Sequence, residues 1–168
     1  LGVIEKVKEL TDSVIVGFGG GKDAIVTLDL CFKHFKRVEA YFLYTVKGLG
    51  FQERYLKYCE KKYKINIHRL PHYALSDYYY QAKYRQPTKT TDECKKINQE
   101  DIVNYVREIT GLEWCALGLK VADSFQRRWI VHEVTKHTGI DLNNKKFYPV
   151  AYYSNAHIYN YLKTNKIF

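Results

Sequence analysis

The chain has 168 residues, with 27 Lys and Arg against 18 Asp and Glu and a formal charge of +9. That length predicts one domain whose core needs no disulfide or metal staple. No apolar run is long enough to span a bilayer and no signal-peptide pattern opens the sequence, so a cytoplasmic protein with no membrane partner is expected. The positive balance suits a phosphate-rich partner, a nucleotide or a nucleic acid, as well as a plain solvated surface. The four cysteines, Cys31, Cys59, Cys94 and Cys115, form no C-x-x-C pair, so no zinc site and a reducing compartment are expected. The sequence holds no Met, which reads as a piece of a longer protein.

Val3, Ile4, Val7 and Leu10 recur at helical spacing and predict a short amphipathic helix over 2–10. Thr11-Asp12-Ser13 turns the chain into Val14-Ile15-Val16, a β-branched buried strand. A dense glycine cluster follows, and helical spacing then continues to about Phe35. Residues 38–44 read as a second strand and 51–63 as a helix with Tyr55, Leu56, Cys59 and Tyr63 on one face. Residues 65–70 alternate like a third strand, stopped by Pro71. The tyrosine-rich stretch 73–84 reads as a helix and the polar, basic stretch 85–92 as a surface loop. A helix over 95–110 ends at Gly111, a fourth strand covers 114–119, and a helix over 123–137 is capped by Asp123. Residues 147–150 form a short extended piece, and Ser154 caps a last helix to about Lys163. Strands alternating with helices predict a single α/β domain over 1–168: a Rossmann-like, open, mostly parallel five-stranded sheet with helices on both faces. In such sheets the ligand sits beyond the carboxyl ends of the strands, so the ends near Gly17, Tyr44 and Gly118 are expected to line one cleft.

The glycine cluster reads Gly17-Phe18-Gly19-Gly20-Gly21-Lys22-Asp23-Ala24. Glycines let backbone N–H groups approach a ligand, and the helix that follows adds unpaired amides and a positive dipole end. Lys22 adds a charge, and the expected guest is a phosphate. The P-loop pattern needs Ser or Thr where Asp23 stands, and the dinucleotide G-x-G-x-x-G pattern fails where Lys22 stands. Beyond the fourth strand, Gly118-Leu119-Lys120-Val121-Ala122-Asp123-Ser124-Phe125-Gln126-Arg127-Arg128 sets cations at a helix start. Lys120 with Arg127 or Arg128 suits a phosphate or sulfate.

The run Gly19-Gly20-Gly21-Lys22-Asp23-Ala24 resembles the PP-loop of the adenine-nucleotide α-hydrolases, usually Ser-Gly-Gly-Lys-Asp-Ser, with both flanking serines absent. Within that superfamily the chain looks like the phosphoadenosine-phosphosulfate (PAPS) reductase family. The segment Tyr41-Phe42-Leu43-Tyr44-Thr45-Val46 stands where the family has an aromatic strand and Asp-Thr-Gly. The segment from Gly118 to Arg127 resembles Gly-x-Arg-x-x-Asp-Ser-x-x-Arg with Lys120 for the Arg, and Pro149-Val150-Ala151-Tyr152-Tyr153 resembles the closing Pro-Leu-x-x-Trp segment. The resemblance implies an adenine nucleotide, ATP or PAPS. Its phosphates would lie on Gly19, Gly20, Gly21, Lys22, Asp23 and Ala24 and its adenosine near Phe18, Tyr44 and Thr45, with Gly17, Gly118 and Lys120 also binding the nucleotide. Its distal phosphate or sulfate would meet Lys120, Asp123, Arg127 and Arg128.

Reduction as the family runs it needs a cysteine in a C-terminal tail, and no cysteine follows Cys115. Only Cys94 resembles a cluster-binding position, and a lone thiol does not hold a four-ligand cluster, so no iron–sulfur cluster is expected. The intact Gly-Gly-Lys-Asp core points to the ATP-using members, which cleave the α–β phosphate bond, adenylate an acceptor and release pyrophosphate. Lys22 and Asp23 are the expected catalytic pair, with Asp23 as a Mg²⁺ ligand. Two alternatives stand beside this: a PAPS or adenosine-phosphosulfate reductase without its catalytic cysteine, and a non-catalytic nucleotide- or nucleic-acid-binding subunit. Expected partners are an adenine nucleotide, a nucleic acid or sulfur-carrier protein, and a second copy of the chain.

Overall fold

Val14, Ile15 and Val16 are all buried, with no alternation between core and solvent, as a strand covered by helices on both faces requires. They form β1 (Ser13–Gly17), near the middle of the sheet. The computed structural model describes residues 2–75 and 97–167. Around β1 the chain lays down α1 (Gly2–Lys8), α2 (Lys22–His34), β2 (Arg37–Tyr44), α3 (Gly50–Tyr63) and β3 (Ile67–Pro71). It continues through α4 (Gln99–Thr110), β4 (Trp114–Leu117) and α5 (Phe125–Trp129), which runs straight into a π-helix, Ile130–Val134. β5 (Ile140–Asp141), β6 (Lys146–Phe147) and α6 (Asn155–Thr164) complete it. The expected helix over 73–84 lies mostly outside the described residues; the expected loop over 85–92 and Cys94 lie wholly outside them.

The sheet has six strands in the order β3-β2-β1-β4-β6-β5. All neighbours are parallel except β5, which runs antiparallel to β6. The sixth strand exceeds the expected five because β5 is a two-residue piece, too short to leave a periodic signal. The chain leaves β1 toward β2 on one side and returns to β4 on the other, so the order switches beside β1.

Alternation along the strands sorts the core into two layers. Val14, Val16, Phe42 and Ala116 face Ile25 and Leu28 of α2 and Ile158 and Leu162 of α6. Ile15, Tyr41, Cys115 and Leu117 face Val103 and Val106 of α4 and Val131 of the π-helix. Cys31, Cys59 and Cys115 are buried thiols, as their apolar faces predict. Asn98 caps α4 in a capping box with Asp101, and Ser154 caps α6 in one with His157. At α5 the cap is Ser124, whose Oγ accepts from the Arg127 N–H at 3.2 Å, rather than the expected Asp123. The Asp123 carboxylate is engaged by two cations instead.

One buried carboxylate ties three helices together. Asp29 of α2 accepts from the Tyr63 hydroxyl of α3 at 3.1 Å and from the Tyr161 hydroxyl of α6 at 2.7 Å. Its cation partner is Lys33, one turn on, at 2.7 Å. Burial, reinforced by the carboxylate, pushes both phenols well above the ordinary tyrosine range. Asp29→Ala leaves two hydroxyls without their acceptor, and we expect it to lower stability by about 2–3 kcal/mol, read as a lower midpoint in urea unfolding.

Candidate functional site

The Phe18 N–H still donates to Tyr41 O at 2.9 Å, so the ladder with β2 holds to the first residue past β1. Beyond it the backbone is released into Gly19, Gly20 and Gly21. Gly20 has φ +75°, the left-handed region that favours glycine. A Cβ at Gly19 or Gly21 would meet nothing within 4 Å, so this backbone faces open space. Gly21 is the N-cap of α2 and supplies no side-chain cap, which leaves the first amides of the helix for another acceptor.

Two other glycines serve close packing. A Cβ at Gly17 would lie 2.6 Å from Leu117 Cδ2 and 3.0 Å from the Tyr41 hydroxyl. One at Gly118 would lie 3.2 Å from the Asp23 carbonyl and from Thr27 Oγ1. The exit of β4 therefore passes directly against the first turn of α2, and the second motif comes to the first.

A chain of alternating charge results. Lys22 Nζ lies 3.2 Å from Asp23 Oδ2, and the same oxygen takes Lys120 Nζ at 2.7 Å. Lys120 also reaches Asp123 Oδ1 at 2.8 Å, and Asp123 Oδ2 meets Arg127 at 2.5 Å. The Lys120 side chain is 0% exposed, whereas that of Lys22 is 34% exposed. Burial alone would pull Lys120 down, but hydrogen bonds from its ammonium to Asp123 and Asp23 outweigh it and hold its pKa above the ordinary 10.5. Burial likewise opposes ionisation of Asp123, and its bonds from Lys120 and Arg127 outweigh it, holding it below the ordinary 3.8. Asp23 Oδ1 is buried and has no partner among the described residues.

Two hollows flank the loop. One, of about 330 Å³, lies at the carboxyl ends of β1, β2 and β4 and is lined by Phe18, Gly19, Tyr41, Leu43, His72 and Gln99 among others. The other, of about 230 Å³, lies between Gly20, Phe42, Phe51, Gln52 and Tyr55. The Phe18 and Tyr55 rings stack 6.0 Å apart beneath the loop.

Gly17 to Ala24, Gly118, Lys120, Asp123 and Arg127 are thus brought together as one unit. Lys120, expected to face a phosphate, is enclosed between two carboxylates instead, because the approach permitted by Gly118 seats it under α2. Arg128 is exposed on α5, outside the charge chain. Tyr44 is half-buried against the α2-side core and Thr45 is exposed, and neither lines the larger hollow. His72 and Gln99 were missed. His72 follows the end of β3, and the strand-end rule, extended to the third strand, would have found it.

Residues 13–168 match the phosphoadenosine phosphosulfate reductase domain. The chain belongs to that family. No curated protein matches it in sequence. Among solved structures, this family member is similar to the U34-tRNA thiolase NcsA from Methanococcus maripaludis with its [4Fe-4S] cluster, at 18% identity and TM-score 0.61, over 98% of this chain and 63% of that one. It is also similar to the NH3-dependent NAD synthetase from Campylobacter jejuni in complex with nitrate, at 15% identity and TM-score 0.61, over 98% of this chain and 69% of that one. At these identities the likeness shows the fold alone, an α/β one with a mostly parallel sheet. The chain spans less than two thirds of the thiolase.

The thiolase overturns one expectation. The absence of an iron–sulfur cluster was inferred by counting cysteines, and a structure of this fold carries one. A cysteine count tests only the ligands visible in one sequence, and Cys94 lies outside the described residues. Among the described residues no group of three or more His, Cys, Asp or Glu is placed to hold a metal, and no helix is long and apolar enough to cross a membrane.

Lys120→Met removes the cation shared by Asp23 and Asp123, and we expect a loss of about 3 kcal/mol. The sign follows from the two shifts. The Asp123 contribution is present above its ordinary pKa of 3.8 and fades as pH falls below it. The Lys120 contribution is present below its ordinary 10.5 and fades as pH rises above it. Urea unfolding across pH should therefore show the wild-type advantage over Lys120→Met between those limits and its decline on either side.

Proposed function

We propose that this domain binds an adenine nucleotide with its phosphates on the amides of Gly19, Gly20, Gly21 and the first turn of α2, and its adenosine in the hollow beside Phe18 and Gly19. The observation that carries this is the juxtaposition of an open, side-chain-free loop at an uncapped helix start, a half-exposed Lys22 and a hollow of about 330 Å³ at the switch in strand order.

The reaction we assign is adenylyl transfer. An acceptor oxygen attacks the α-phosphorus of ATP, the bond to the α–β bridging oxygen breaks, and pyrophosphate leaves with that electron pair. Lys22 and the loop amides stabilise the charge that builds on the phosphate oxygens. Asp23 aligns Lys120 and, through it, the approach of β4. Mg²⁺ carried by the phosphates would neutralise charge on them. Asp23 Oδ1, buried and unpartnered among the described residues, is the protein oxygen that would hold it. The family match and the thiolase, which acts on U34 of tRNA by its name, support an acceptor in sulfur metabolism or nucleic-acid modification.

Sulfonucleotide reduction is the second reading, favoured by the family itself. It requires a thiolate. Cys31, Cys59 and Cys115 are buried, and burial pushes their thiols up, Cys115 to about 11, which disfavours all three as the nucleophile. A binding subunit without turnover is the third, favoured by Gly19 and Ala24 in place of hydroxyl donors.

Lys22→Ala should weaken ATP binding at least about tenfold in calorimetry and leave the thermal midpoint unchanged; unaltered affinity for both ATP and PAPS rules the site out. Pyrophosphate release from ATP and Mg²⁺ across candidate acceptors separates transfer from mere binding. Gly19→Ser should fit, since its Cβ meets nothing within 4 Å. By returning a hydroxyl to the loop, it should tighten ATP binding by up to about tenfold.

A further inference from the structure

A row of exposed rings runs along the same rim as the glycine loop. Phe125 and Trp129 stand at i and i+4 on α5 and are 81% and 54% exposed. The π-helix continues the row: the His132 ring lies 4.3 Å from that of His137 and 6.5 Å from that of Tyr152, nearly parallel to the latter at 20°. Tyr152 is 50% exposed, and its hydroxyl donates to His137 O at 2.8 Å. His132 is half-buried, whereas the exposed rings of Phe125 and Trp129 take no part in packing the helix, which Val131 and Ile130 accomplish against the β4 and α4 layer.

The row sits at the carboxyl ends of the strands. It begins just past β4, where Val121 N–H donates to Ala151 O at 2.9 Å, and ends where Tyr148 N–H donates to Gly139 O at 2.9 Å, just past β6. Cations interleave with the rings. Arg128 lies beside Trp129 in sequence, Lys136 beside His137, and Lys6 shares a hollow of about 340 Å³ with His137 and Tyr152. Within 125–137 Glu133 is the one acidic residue.

Rings open to solvent, spaced along a rim and alternating with cations on a chain of charge +9, match one class of partner. A single nucleic-acid strand offers a π-face at every base and a negative charge at every phosphate. A duplex buries its base faces in the stack and offers only the second. We propose that the row from Phe125 to Tyr152 binds single-stranded nucleic acid by stacking its bases. Delivery of that strand as the adenylyl acceptor rests on the nucleotide reading above; the binding itself does not.

The test is fluorescence anisotropy with a fluorescein-labelled single-stranded RNA of about 20 nucleotides, the same sequence as DNA, and the RNA as a duplex, at low and higher salt. Both the single strands and the quenching of Trp129, whose only fellow Trp is the buried Trp114, report on the row. We expect a single strand to bind more tightly than the duplex, and the RNA and DNA arms to say which sugar is preferred. Phe125→Ala with Trp129→Ala should weaken single-strand binding by about tenfold to a hundredfold, with an unchanged thermal midpoint and unchanged ATP affinity. Arg128→Ala should lower the salt slope by about one. Lys22→Ala should keep oligonucleotide binding, so failure at the nucleotide loop and failure at the row are told apart. Equal binding by the double variant, tighter duplex binding, or saturation without Trp129 quenching overturns the proposal. So does self-association that the double variant abolishes in the absence of any oligonucleotide binding, which would assign the row to a second copy of the chain.

Discussion

A buried ammonium is the constraint on which the rim depends. Lys120 is sealed from solvent and tolerates that only because Asp23 and Asp123 approach it at 2.7 and 2.8 Å. The two carboxylates come from distant parts of the sequence, one from the first turn of α2 and one from the segment after β4. The ammonium therefore ties the position of the loop to that of β4, since removing Lys120 leaves its two carboxylates facing each other without their shared cation. Gly118 is the steric half of the same constraint. A Cβ there would lie 3.2 Å from the Asp23 carbonyl, so a side chain requires the exit of β4 or the first turn of α2 to give way by a few tenths of an ångström.

The two lysines of the chain of charge divide the work by exposure. Lys22 and Lys120 share Asp23 Oδ2, but a partly exposed pair is screened and weak whereas an enclosed one is not. On the proposed reading, an anion on the loop amides would draw Lys22 from its 3.2 Å contact at little cost, while Lys120 keeps Asp23 in place. The strand–helix junction beneath the loop rests on the enclosed pair and not on the exposed one, and Lys120 belongs to that junction although it faces no open space.

Much of this was legible in the sequence because it is written locally. The β-branched run of β1, the glycines, the capping residue Ser154 and the Gly111 stop each carry their own signal within a few residues, whereas the Asn98 cap was missed and its helix begun at 95. The switch in strand order then follows from alternating strands and helices. What was not legible is what side chains do after distant segments meet. A lysine beyond a strand end reads as a phosphate ligand until the close approach at Gly118 is known, and an aspartate before a helix reads as a cap until two cations claim it. β5 escaped because two residues have no period, and His72 because the strand-end rule had been applied to the first, second and fourth strands and not to the third.

The same logic explains why the aromatic row drew no notice as a unit. Phe125 and Trp129 lie on a predicted helix, and in an amphipathic helix large rings belong to the core face by default. The structure buries Val131 and leaves those rings outside. Tyr152 arrives from beyond β6, and only the antiparallel β5 brings His137 back to that edge. A helix whose apolar side is split between a packed face and an open one carries two functions in one segment. Its inner face holds the β4 junction in register through the core, and its outer face is left to meet whatever the rim binds. Because those faces share no side chains, the outer rings can be removed without disturbing the inner packing.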